Sequence, residues 1–159
     1  MTLVAGTAVA WATLAIATEI WVATPLSTLI PLLVLAAGFE AAFAMHVGVE
    51  RIGRYLQVEY EGDEGAPAWE HTAMRFGATP PPGAGRVDPL FSAIFIFATV
   101  LNLVPVVLMT LGISGAWGEL AIVTLAHGVF VVRMVRARAY ASRQRELDLA
   151  ALTRHPAKP

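Results

Sequence analysis

Residues 38 to 61 read GFEAAFAMHVGVERIGRYLQVEYE, a segment that begins inside an apolar run and ends charged. Glu40 and His46 stand in it before the apolar character gives out. Read as one long helix at 100° per residue, the segment brings Glu40, His46, Glu50, Arg51 and Arg54 within about 140° of arc. The expectation is a single polar stripe, turned toward other helices, that carries charge from an oily interior out to water.

The rest of the chain supplies the oily interior. Of its 159 residues, 57% are hydrophobic and 14% charged, and the mean hydropathy is +0.63. That apolar share exceeds what an ordinary soluble domain carries. A bilayer core about 30 Å thick takes roughly twenty apolar residues as a helix. Four runs qualify, at about 3–23, 26–49, 89–111 and 117–132. Pro25 stops the first, while Ser27, Thr28 and Pro31 suit the start of the second. The runs lack the alternation of barrel strands, and lipid tolerates only helices or closed barrels. The fold class expected is all-α: a polytopic membrane protein of four transmembrane helices in an antiparallel bundle, one domain over 1–159. The opening MTLVAGTAVAWATLAIATEIWVA has no basic residue before its apolar run, so it reads as a retained span rather than a cleaved secretory signal.

Orientation follows from the basic residues. Net charge is −1, so no bulk electrostatic case for nucleic acid exists. All 11 Lys and Arg fall in two places, at Arg51, Arg54, Arg75 and Arg86 and from Arg133 to Lys158. The connections ATPLS and GISGA have none. The positive-inside tendency then puts both termini and the 62–88 loop in the cytoplasm, as in a bacterial inner membrane, with Trp21 and Trp117 at the outer interface. Within the loop, Trp69, Ala73 and Phe76 share a helical face, which predicts a short interfacial helix. Residues 133–154 predict a basic cytoplasmic helix whose Arg133, Arg136, Arg138, Arg143 and Arg145 lie near headgroups. Anionic lipid is the partner such a cluster favours; a protein surface is the competing one.

Ranking polar residues by height along their spans gives three layers. Glu40, Asn102 and His127 fall near mid-membrane, with Glu40 and His127 as the natural buried pair. Glu19 and Glu119 lie nearer the outside, while His46, Glu50, Arg51 and Arg54 lie toward the cytoplasm. Ionisable groups at such depths cost free energy unless they face inward and find partners. Ala5, Ala8, Ala12, Ala15 and Glu19 share one face of the first span, where small residues let another helix approach closely, in the same chain or in a second copy. Pro105 is expected to kink or open the third span beside Asn102, and Gly48 and Gly53 permit a bend or close packing where the second span leaves the bilayer.

His46 and Glu50, at i and i+4, have metal-ligand spacing, and Glu40, His71 or His127 are further candidate ligands, for a metal ion or haem. Against this stands the absence of HExxH and of the paired Glu-x-x-His of di-iron bundles. The stacked Glu, Asn and His layers are a candidate proton or ion relay. Trp69, Glu70, His71 and Arg75 could cover a headgroup-sized substrate, or form only the solvated face of an interfacial helix. No nucleophile elbow or phosphate loop occurs, and the lack of cysteine excludes thiolate sites and disulfides. With no complete catalytic motif and little soluble mass, the expectation is a noncatalytic, cofactor-free subunit of a homo-oligomer or larger membrane assembly. The alternatives are a proton-coupled carrier and a metal- or haem-dependent membrane enzyme.

Overall fold

The computed structural model describes residues 2–22, 24–59, 89–111 and 115–154. All regular structure among them is helical. Helix α1 is Thr2–Trp21, α2 Leu29–Glu59, α3 Pro89–Thr110 and α4 Trp117–Arg154. All four are long and apolar enough to cross a membrane. The interfacial helix expected in 62–88, with Trp69, Glu70, His71, Ala73, Arg75 and Phe76, lies outside the described residues. Helices α2 and α4 run on well past the apolar runs that open them. At 1.5 Å per residue they measure about 46 and 57 Å, far more than the roughly 30 Å of hydrocarbon.

Local chemistry explains the helix ends. Between α1 and α2, Pro25–Thr28 forms a 3-10 turn with proline in its first position. The buried Ser27 and Thr28 hydroxyls donate to the carbonyls of Thr24 (2.6 Å) and Pro25 (2.8 Å). Before α4, Gly115 has φ +108°, a left-handed conformation that favours glycine. Inside the helices, threonine hydroxyls donate to carbonyls one turn back: Thr7 to Leu3, Thr18 to Leu14, Thr99 to Phe95 and Thr110 to Val106. A hydroxyl satisfied within its own helix costs little in an apolar setting. Helix α3 continues unbroken through Pro105.

The helices divide into two compact units. The first comprises Met1–Ala42 and Ser92–Val135, the second Phe43–Phe91 and Arg136–Pro159. In the first, Phe39 of α2 is the centre of the core. Its ring meets Phe95 of α3 edge-on at 5.5 Å and Phe130 of α4 at 5.9 Å, geometries that aromatic quadrupoles favour. Leu35, Val106, Val123 and Met134 are buried in the same unit. Gly38 touches Thr7 so closely that a Cβ there would overlap the threonine side chain, and α1 is held against α2 at this point. In the second unit Phe43 and Tyr140 meet at 6.2 Å, with Ala137 and Ala141 buried beside them.

Two expected faces are placed differently. Helix α1 buries Thr7 and Thr18 and half-buries Trp11 between them, whereas Ala5 is exposed and Ala8, Ala12 and Ala15 are only partly covered. The alanine stripe is turned by about 100° from the buried one, because residues at 7, 11 and 18 define another azimuth. On α2 the expected inward stripe is wider than the face that is covered. Leu32, Phe39, Phe43 and Arg54 take the buried centre, and Glu40 and Arg51 at its edge are exposed.

Candidate functional site

Two polar networks stand out, one in each unit. In the first, Asn102 of α3 is the hub and is 4% exposed. Its Oδ1 accepts from the Trp11 indole N–H at 3.2 Å. Its Nδ2 donates to the Thr28 carbonyl at 2.9 Å and lies 3.0 Å from His127 Nε2. His127 Nδ1 lies 2.8 Å from the Val123 carbonyl one turn back on α4. Donor and acceptor roles follow without ambiguity. An indole only donates and a backbone carbonyl only accepts, so Trp11 and Thr28 independently fix the same orientation of the amide. The amide therefore presents N–H to His127 Nε2, which must accept. The remaining ring proton sits on Nδ1 and is donated to Val123. His127 is thus a neutral imidazole of defined tautomer, 2% exposed, with both nitrogens satisfied.

The expected Glu40–His127 pair does not form. Glu40 instead accepts from Arg133 Nη2 at 2.7 Å, and both side chains are close to half-exposed, at 47% and 41%. The reason is azimuthal: Glu40 follows Phe39 by one residue, and Phe39 holds the inward position. Height contributes as well: Asn102, which holds His127, bonds the carbonyl of Thr28, twelve residues before Glu40.

The second network is charged. Arg54, with a side chain 6% exposed, donates from Nη2 to Asp148 Oδ2 at 2.7 Å and from Nη1 to Glu50 Oε2 at 3.2 Å. Arg51 Nε reaches the same Asp148 oxygen at 3.4 Å, and Gln144 Nε2 donates to Asp148 Oδ1 at 2.8 Å. His46 Nε2 lies 3.3 Å from Glu50 Oε1 without a hydrogen bond there. Arg54 Nε has no acceptor among the described residues. Asp148 stands about 47 Å along α4, farther than the roughly 30 Å that a hydrocarbon core takes. Burial raises its pKa, but the hydrogen bonds from Arg54 and Gln144 and the charges of Arg54 and Arg51 outweigh that and hold it below the ordinary carboxylate value. A cavity of about 360 Å³ beside it is lined by Arg51, Ile52, Tyr55, Asp148 and Ala151.

The other candidates stay apart. His46 and Glu50 are together, but Glu40 and His127 are each engaged elsewhere, and no group of three or more His, Asp or Glu that could hold a metal occurs among the described residues. His71 lies outside them. Glu19 and Glu119 are partly exposed and make no ion pair or hydrogen bond with a described residue; Glu119 sits in the first turn of α4, where the helix dipole favours it. Arg136, Arg138 and Arg143 are exposed along α4, and the side chain of Arg145 lies outside the described residues.

Sequence reasoning missed Trp11, the Thr28 and Val123 carbonyls, Gln144 and Asp148. Trp11 gives a signal in retrospect, as an indole in mid-span whose N–H needs an acceptor. The Thr28 carbonyl gives none, since every residue has one. Asp148 was visible as the i+4 partner of Gln144. No protein-family model matches the chain, and neither a curated protein nor a solved structure matches it.

Proposed function

We propose that this chain is a noncatalytic integral membrane protein, a structural or accessory subunit whose buried polar groups set helix packing rather than perform chemistry. The observation that supports this reading is the saturation of the Asn102 hub. Its carbonyl, both its N–H groups and both nitrogens of His127 are all engaged. A proton relay needs a group that changes protonation or partner; here the acceptor at His127 Nε2 is held by an amide that two other groups lock in place. In the same proposal the termini are cytoplasmic, the membrane is a bacterial inner membrane, and Arg136, Arg138 and Arg143 meet anionic headgroups.

The test is an imposed pH gradient across proteoliposomes that contain the purified chain. The structural reading expects the gradient to decay at the rate of protein-free vesicles. Flux that disappears in His127→Gln would establish a carrier instead. For the metal-dependent alternative, which the adjacent His46 and Glu50 favour, elemental analysis of detergent-purified protein is the discriminating measurement. Stoichiometric zinc or iron, or haem by absorbance, lost in His46→Ala would replace the structural reading with an enzymatic one.

A further inference from the structure

The Glu40–Arg133 pair is the polar feature that the packing of the chain leaves unexplained. Glu40 lies about 17 Å from the start of α2 and Arg133 about 24 Å from the start of α4, both inside the first 30 Å of their helices. Side chains in a helix lean toward its N-terminus, so the guanidinium reaches back to the depth of the carboxylate. Glu40 is therefore at hydrocarbon depth, and Arg133, expected from the sequence at the headgroups just past the fourth span, turns back to it, yet nearly half of each side chain is uncovered. Acyl chains offer such a pair no hydrogen-bonding atoms, and charges in membrane spans are almost always turned toward protein or water. Around it Leu33, Ala37 and Ala41 on α2 and Val129 and Val132 on α4 are exposed as well.

From this arrangement we infer that a second copy of the chain docks on the α2–α4 face, with Glu40 and Arg133 of each copy at the centre of a twofold interface. The charge pattern selects this occupant over an unrelated protein or lipid. The two charges come from different helices, so the vector between them has a component in the membrane plane. A twofold axis along the membrane normal reverses that component and sets each Glu40 opposite the partner's Arg133. One surface that carries both signs is then complementary to itself, and four charges close into a ring in which every carboxylate faces two guanidiniums. Leu33, Ala37 and Val129 frame the ring with small and apolar surface that permits close approach. The inference names the partner within the noncatalytic reading and rests on it, but its failure leaves that reading standing: a monomer whose stability still depends on Asn102 would refute only the interface.

Charge exchange between copies tests the ring. Glu40→Arg alone and Arg133→Glu alone put like charges across the interface, and each is expected to lose self-association at least about tenfold. Coexpressed with different tags, the two variants are expected to recover wild-type association with each other, since each arginine pair then faces a glutamate pair. Because the native chain has no cysteine, Ala37→Cys on the otherwise unaltered protein provides an independent readout that does not require the charge variants to insert. Oxidation in native membranes is expected to give a covalent dimer from Ala37→Cys, and none from Ala5→Cys on α1 or Leu108→Cys on α3. Crosslinking at Ala5 or Leu108 in place of Ala37, single charge variants that associate as the wild type does, or a mixture that fails to recover would each overturn the inference.

Discussion

The Asn102 network and the Arg54 network solve the same problem with different chemistry. Both join polar side chains of different helices, but the first is neutral and fully satisfied, whereas the second is built from full charges and leaves Arg54 Nε without an acceptor among the described residues. The difference tracks distance along the helices. Asn102 and His127 sit in apolar stretches, where a charge costs several kcal/mol and an amide held by three partners does not. Arg54 and Asp148 lie beyond about 35 Å on α2 and α4, where water screens what the partners leave uncovered. A neutral hub should be indifferent to pH and salt; a charged one should not.

The largest effect is expected from breaking the charged network on one side. Asp148→Leu leaves the buried Arg54 guanidinium without its closest partner and should cost about 3 kcal/mol in thermal or denaturant unfolding, whereas Arg54→Met combined with Asp148→Leu should recover most of it. Equal losses in the single and double variants would mean that the pair is not the cause. Asn102→Leu should come next, at about 2 kcal/mol. It orphans the Trp11 N–H, the Thr28 carbonyl and His127 Nε2, although the unfolded chain in a membrane also finds partners and lowers the cost. That loss should be the same at pH 5 and pH 8.

A smaller effect tests packing alone. Gly38→Leu drives a side chain into Thr7 and should destabilise by about 1–2 kcal/mol, with partial rescue by Thr7→Ala. Acid sharpens the contrast between the networks. The folded-state pKa of Asp148 lies below its unfolded value, so its contribution is complete above about pH 4 and is lost as pH falls through the folded pKa. Asp148→Asn should flatten the acid limb of the stability profile; an unchanged limb would assign it to other carboxylates. The smallest effect belongs to Arg51→Gln. Its side chain is 61% exposed and its contact with Asp148 is long, so the loss should stay under about 1 kcal/mol.

The four membrane-length helices were legible in the sequence, because hydrocarbon thickness imposes a length that composition alone reports. Depth was legible in part: Asn102 and His127 were placed at one height and they touch, whereas Glu40, placed in the same layer, is twelve residues past the Thr28 carbonyl that Asn102 bonds. Azimuth was not. Whether Glu40 faces His127 or Arg133 depends on which residue of α2 takes the inward position, and Phe39 takes it through its rings' fit against Phe95 and Phe130. Spacing along one helix cannot supply that, since it depends on volumes contributed by others. The alanine stripe of α1 shows the same limit: small residues permit close approach on several faces, and the contact formed where Gly38 left room for Thr7.

The central claim is that His127 is a neutral, immobile element of packing, and nitrogen NMR on histidine-labelled protein in detergent or lipid tests it most directly. The account predicts a protonated Nδ1 and a bare Nε2 at His127, unchanged from pH 5 to pH 8, the range around pH 6.5 in which a free imidazole takes up its second proton. A ring that carries its proton on Nε2, or that becomes doubly protonated within that range, would contradict it.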